Sequence, residues 1–313
     1  MMCWPGFQSE PVGEVMIRKL RSRKINCINS AAPAILAAFI CTTAQAQDKP
    51  PTAREVAKAI QDHIGIPWMT QTVDTFKAGN PDTPVTGIAV TMMATLDVLQ
   101  RAAAKHENLI ITHEPTFFSH QDKPEGMDES DPVWTEKSAY IEKHNLVVWR
   151  FHDHWHRRNP DGILAGMVRA LGWEKYQHAD DPRVFTLPEI TVSKLAADVA
   201  KGLDAPSLRV VGNPEMKVTK IGLSPGAAGF VRETHALEQD NVELLLVGET
   251  REWETVEYVA DAATEGKRKA LIIVSHIPSE QAGMEECARW LKTFITTTPI
   301  EFVPAKQPFW MPH

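Results

Sequence analysis

Four apolar runs of strand length each stop at a residue able to ligate a metal, and this restricts what the chain can fold into. Leu109-Ile110-Ile111-Thr112 runs into His113-Glu114, and Leu146-Val147-Val148-Trp149-Arg150-Phe151 runs into His152-Asp153-His154-Trp155-His156. Leu244-Leu245-Leu246-Val247-Gly248 ends at Glu249, and Leu271-Ile272-Ile273-Val274-Ser275 ends at His276, with Glu280 one helical turn further on. Near-continuous apolar strands are those buried on both faces, under helices. In such α/β sheets the carboxyl ends of the strands share one edge, and ligands bind there. Residues far apart in sequence are thereby expected to meet in one cleft. Imidazole with carboxylate suits zinc, iron, nickel or manganese, so the pattern points to a metal site with room for more than one ion.

The segments between these runs have helical spacing. Val56, Ile60 and Ile64 mark a helix over residues 53–64, and further helices are expected over 92–106, 132–144, 161–171, 192–202, 253–264 and 279–292. Additional strands are read over 85–91, 208–211 and 218–223. Strand and helix alternate along the chain, which predicts an α/β class. Asp180-Asp181-Pro182 marks a boundary between a first α/β unit, residues 47–180, and a second, residues 181–313, whose C-terminal part returns to the metal cleft. The tail ending Phe309-Trp310-Met311-Pro312-His313 is apolar and is expected to pack on something, such as a neighbouring subunit.

Residues 1–46 have a different character. Met16 opens the basic stretch Ile17-Arg18-Lys19-Leu20-Arg21-Ser22-Arg23-Lys24; an apolar run over 31–40 and the small-residue end Thr42-Thr43-Ala44-Gln45-Ala46 follow. This is the order of a secretory signal, with cleavage expected after Ala46, Met16 the expected initiator and a periplasmic or secreted destination. The apolar run is far short of the roughly 20 residues a membrane helix needs, so no membrane span is expected. Of 33 basic and 40 acidic residues the leader holds five and two, leaving a remainder near −10. That balance argues against nucleic acid as a partner, since a phosphate backbone wants clustered Lys and Arg. Cys3, Cys27 and Cys41 all lie in the leader. Cys287 would be alone in the remainder, which excludes an intrachain disulfide there.

Among the site residues, His152 and His156 would share one face of a helical turn, near enough to bind one metal. Asp153 and His154 would then point elsewhere and could orient the ligands. His276 and Glu280 have the same spacing; Pro278 fits a helix start there, and Ser279 could cap it. Pro115 holds Glu114 extended, and His120 reads as a loop residue. Glu249, with Glu252 and Glu254 near it, is either a general base or part of a solvated helix start. Ser224-Pro225-Gly226-Ala227-Ala228-Gly229 is a small-residue loop where backbone could approach a ligand. It is not followed by the Gly-Lys-Ser/Thr of a P-loop, and Ser224 sits in no Gly-x-Ser-x-Gly turn.

From about residue 53 to 300 the chain resembles the Nif-three-like dinuclear-metal proteins, also described as type 2 homologues of GTP cyclohydrolase I. Members have a Thr-His-His element, a His-x-x-x-Asp element and a His-x-x-x-Glu element, each after a strand. Here Thr112-His113-Glu114, His152 with His156, and His276 with Glu280 take those places. Two positions are exchanged reciprocally, Glu114 standing for a His and His156 for an Asp. The set therefore keeps four imidazoles and two carboxylates: His113, Glu114, His152, His156, His276 and Glu280. The resemblance implies two similar, intertwined α/β/α units with a metal cleft between them, two divalent metal ions (zinc, iron or manganese) and a homo-oligomer, a ring-shaped hexamer. It leads to the expectation of a metal-dependent hydrolase acting on a small molecule through a metal-activated water, with Glu249 or Asp153 handling protons. The alternative is a non-catalytic metal-binding protein of ring assemblies.

Overall fold

The four apolar runs become the buried, parallel centres of two mixed sheets. The computed structural model describes residues 49–123, 127–128 and 130–312, so the leader lies outside the described residues. The first sheet contains β1 (Phe76–Ala78), β2 (Ile88–Met93), β3 (Leu109–Glu114), β4 (Val147–Arg150) and β10 (Ile300–Phe302). Their spatial order is β1-β4-β3-β2-β10, parallel except for β1 at one edge. The second sheet contains β5 (Val184–Thr191), β6 (Arg209–Val211), β7 (Lys217–Ser224), β8 (Leu244–Val247) and β9 (Ala270–Ile273). Its order is β5-β7-β8-β9-β6, with β7, β8 and β9 parallel and both edge strands antiparallel. The protein is thus an α/β fold with two similar five-stranded sheets. Every residue of β3, β4, β8 and β9 is buried.

Helices cover both sheets. They are α1 (Ala53–His63), α2 (Leu96–Ala104), α3 (Pro132–Lys143), α4 (Asp153–Arg157), α5 (Gly162–Leu171), α6 (Val192–Gly202), α7 (Phe230–Glu238), α8 (Glu257–Thr264) and α9 (His276–Leu291). Local chemistry fixes several starts. Thr52 and Glu55 form a reciprocal capping box at α1, and Asp131 caps α3 with Pro132 in its first turn. Asp161 accepts from Ile163 N and Leu164 N at the start of α5.

Two helices exchange cores. α5 follows the first sheet in sequence, yet Leu164, Met167 and Val168 are buried in the core of the second. α9 follows the second sheet, yet Met284, Cys287 and Leu291 are buried in the core of the first. This exchange is what intertwines the two units. The helices meet at Gly166 and Gly283, where a Cβ on Gly166 would lie 2.4 Å from Gly283 Cα. A methyl group there would force the helices apart, so the contact depends on two residues without side chains. The Trp155 indole N–H closes the same junction on Gly283 O at 3.1 Å.

Several elements differ from the sequence reading. α9 starts at His276 rather than Ser279. Pro278 is tolerated inside the helix because first-turn amides have no intrahelical acceptor. Ser279 is therefore no cap: its hydroxyl donates to His276 O at 2.7 Å. Met92 and Met93 belong to β2, and α2 begins after Thr95, whose hydroxyl accepts from Val98 N. The helix read from Trp253 opens instead with a wide π-helical turn, Glu252–Val256, before α8. Strands β1, β5 and β10 and helix α7 had no reading. In the tail, Phe309, Trp310 and Met311 are exposed. Among the described residues no helix is long and apolar enough to cross a membrane.

Candidate metal centre

Strand register brings the ligand residues together. Thr112 pairs with Arg150 across β3 and β4, so His113, next to last in β3, and His152, just past β4, lie at neighbouring strand ends. Val247 pairs with Ile273 across β8 and β9, which places Glu249 and His276 in the same way on the second sheet. The two sets of strand ends face one cleft of about 890 Å³, lined by Glu114, His152, His156, His276 and Glu280.

On the first wall each imidazole is held from behind. His113 is fully buried; its Nδ1–H donates to Phe151 O at 3.2 Å, which leaves the Nε2 lone pair facing the cluster. Burial, reinforced by His152 and His156, pushes its pKa well below the ordinary imidazole value, so the ring is neutral and able to ligate. His152 Nδ1 donates to Asp153 Oδ1 at 2.9 Å. The other oxygen of Asp153 accepts from Thr72 Oγ1 at 2.8 Å and Val73 N at 3.0 Å. The bond from His152 leads the causes that hold the Asp153 carboxyl well below the usual range. His156 Nδ1 lies 3.3 Å from Asp161, the residue that caps α5. Burial opposes charge on His156, but Asp161 and Glu280 outweigh it and raise the pKa.

Asp74 sets the direction of this wall. Its Oδ1 accepts from His152 N at 2.6 Å and Asp153 N at 2.9 Å, and its Oδ2 from His154 N at 2.9 Å. One carboxylate thus satisfies three orphan amides at the start of α4. His156 N then bonds back to His152 O at 3.0 Å, which puts both rings on one side. His154 turns the other way. Its Nδ1 donates to Asp74 Oδ2 at 2.6 Å, its Nε2 accepts from Met69 N, and its ring stacks on Trp68 at 3.5 Å.

The second wall is organised by backbone. Ser275 has φ 76° and ψ 160°, a conformation otherwise kept for glycine, and it turns β9 sharply into α9. His276 and Glu280 lie one turn apart with Nε2 and Oε2 3.2 Å from each other. The Ser279 hydroxyl accepts from Gly226 N at 3.0 Å and ties the small-residue loop to α9. Gly226 has φ +71°, and a Cβ there would lie 2.2 Å from Glu280 Oε1. Only glycine lets this loop lie on the carboxylate. Glu249 Oε1 is 3.4 Å from His276 Nδ1, and that contact lowers the Glu249 pKa. Glu252 and Glu254 turn outward to Arg209 and Arg251.

Across the cleft, Glu114 Oε1 lies 3.6 Å from His152 Nε2 and 3.4 Å from His276 Nε2. Its second oxygen is 3.4 Å from Arg150, a fully buried guanidinium that also donates to His113 O at 2.9 Å and His120 O at 2.5 Å. His113 Nε2 is 3.5 Å from Glu280 Oε2 and 3.2 Å from His156 Nε2. Two groups emerge, His113 with His152 and His156, and His113 with Glu114 and Glu280; within each, the ligand atoms lie within 4.8 Å of one another.

This donor set fits a divalent cation. With their Nδ1 atoms donating elsewhere, His113 and His156 turn lone pairs toward each other at 3.2 Å, an arrangement that is repulsive unless a proton or a cation lies between them. His276 shows the same need. Burial disfavours its charge, yet Glu114, Glu249 and Glu280 outweigh burial and push its pKa up to about 12. Without metal, a proton on His276 balances those carboxylates.

The structure therefore brings His113, Glu114, His152, His156, His276 and Glu280 together, with Asp153 hydrogen-bonded to the outer nitrogen of His152 and Glu249 3.4 Å from that of His276. His120 stands at the cleft mouth, its ring centroid 6.0 Å from that of His152. Asp74 and Arg150 were missed as site residues, and Asp161 was read only as a helix start. Asp161 did carry a signal, an acid just before a helical run. Asp74 carried none, because the chain it caps lies 78 residues downstream.

Comparison with known proteins agrees with this architecture. A curated relative from Clostridium acetobutylicum, named GTP cyclohydrolase 1 type 2 homolog, is 26% identical over 195 residues, covering 58% of this chain and 68% of that protein. Among solved structures, the Bacillus cereus protein related to NIF3 aligns with a TM-score of 0.66 at 13% identity, covering 84% of this chain and 99% of that one. The Staphylococcus aureus hypothetical protein SA1388 aligns with a TM-score of 0.65 at 17% identity and the same coverage. At such identities these two show the fold alone. A model of the Duf34/NIF3 (NGG1p interacting factor 3) family matches residues 52–308, most of the chain, and with the intertwined sheets already described this shows that the chain belongs to the Duf34/NIF3 family.

Proposed function

We propose that this protein is a metal-dependent hydrolase with a centre for two divalent cations, zinc, iron or manganese. One observation carries the reading: two ligand groups sharing His113 open together into a cleft of small-molecule size. When bound, such ions would acidify a water and polarise the oxygen of the carbonyl or phosphoryl group whose carbon or phosphorus that water attacks. The chain's own residues supply the rest. Phe151 O, Asp153 and Asp161 fix which nitrogen of His113, His152 and His156 faces the cleft, so the ligands need little reorganisation. Both oxygens of Asp153 are occupied, which supports a positioning role. Glu249 meets His276 through one oxygen only, and its half-exposed side chain supports a role in carrying protons between cleft and solvent.

The leader pattern supports export, and that destination argues against GTP as substrate, since GTP is not expected outside the cytoplasm. The family resemblance supports a homo-oligomer, a hexamer, which light scattering on the purified protein would test. For the activity, a panel of phosphoesters and amides is assayed with metal-loaded and chelated protein. Turnover that chelation abolishes and manganese or zinc restores is expected. A loaded protein that cleaves nothing on the panel would move the non-catalytic reading ahead.

A further inference from the structure

In this cleft the carboxylates are committed and two arginines are not. Glu114 and Glu280 face the imidazoles, Asp153 holds His152, and Asp161 holds His156 while receiving Arg183 at 3.1 Å. Arg157, at the end of α4, and Arg232, in the first turn of α7, line the same cleft from opposite sheets. Neither has a carboxylate partner among the described residues, and both are exposed. The rim carboxylate Asp181 accepts from Arg183 N at 2.9 Å and forms no ion pair with either arginine among the described residues.

Two uncompensated guanidiniums beside a centre built for dications raise the local positive charge, and an arriving anion would offset it. Resting on the hydrolase reading above, we infer that the substrate is a small phosphorylated molecule. Arg157 and Arg232 grip a phosphoryl group beyond the bond presented to the metal ligands. A guanidinium fork matches phosphate geometry and is weakly hydrated. A phosphoryl group has enough oxygens to accept from both forks, whereas a carboxylate fills one. The cleft, about 890 Å³, has the size of a small-molecule site.

The test uses inorganic pyrophosphate as probe and calorimetry on the metal-loaded protein. Arg157→Gln and Arg232→Gln should each raise the pyrophosphate Kd about tenfold, and the double variant should raise it further than either alone. Arg54→Gln, on a distant surface beside Asp82, should change nothing, and metal content should be equal in all. Succinate should bind at least about tenfold more weakly than pyrophosphate. A double variant that binds pyrophosphate like the unaltered chain overturns the assignment, and so does equal binding of succinate. Arginine-dependent pyrophosphate binding without cleavage of any ester would refute the hydrolase reading and leave this one standing. Cleavage of uncharged esters by a protein whose arginines are indifferent to pyrophosphate would do the reverse.

Discussion

The two walls of the cleft solve one problem differently. His113, His152 and His156 come from the first sheet and α4, and each is aimed by a hydrogen bond on its far nitrogen. The opposite wall, His276 and Glu280, is aimed by backbone: a left-handed Ser275 and a glycine loop latched through Ser279. The electrostatics differ too. Burial keeps His113 neutral, while three carboxylates make His276 cling to a proton. On the first wall His113 is therefore ready for metal before metal arrives, whereas His276 on the second, like His156 on the first, must exchange a proton for it.

Removing one ligand from each wall should give the largest effects. His113→Ala deletes the buried imidazole that adjoins the other ligand atoms of both groups, so metal content measured by elemental analysis should fall to near background. His276→Ala should lose part of the metal, and Lys292→Ala, on the surface, none. Equal metal content in His276→Ala and Lys292→Ala would break the assignment of the second wall. Asp74→Ala should come next. It frees three amides at the start of α4 and unpairs buried His154, which should lower stability by about 2–4 kcal/mol and metal affinity by about 10–100-fold. Chemical denaturation with a metal titration reads both, and unchanged metal affinity would show that α4 needs no such cap.

A pH series separates the walls further. The His276 pKa is raised above its unfolded value, so its stabilisation of metal-free protein is full below about 6.5 and declines as pH rises toward about 12. Metal uptake displaces that proton and improves over the same range. The gap in Tm between loaded and chelated protein should widen from pH 6 to 9, and His276→Gln should flatten the chelated curve. A gap that narrows would mean His276 does not face the ion. Ser275→Gly should have the smallest effect. It relieves an unfavourable backbone conformation and should raise stability by up to about 1 kcal/mol with metal affinity retained, as a melting curve would show. A large loss would mean the serine side chain itself holds the wall.

The sequence revealed strands and ligands but not supports. β3, β4, β8 and β9 were legible because strands buried on both faces are continuous apolar runs; the candidate ligands His113, Glu114, His152 and His276 stood out where those runs stop, and His156 and Glu280 one helical turn further on. β1 and β10 were not, since three-residue edge strands show no period. Asp74 and Arg150 escaped for another reason: their partners are reached through space, and no local pattern marks an acid that caps a helix 78 residues away. The start of α9 was misplaced because Ser279 and Pro278 imitate a cap, whereas the structure uses that serine to fasten Gly226.

The claim that both walls serve one dinuclear centre is tested most directly by elemental analysis of the purified protein without a metal-binding tag. The account predicts about two transition-metal ions per chain. Protein that carries none, and takes up neither zinc nor manganese after dialysis, would contradict it.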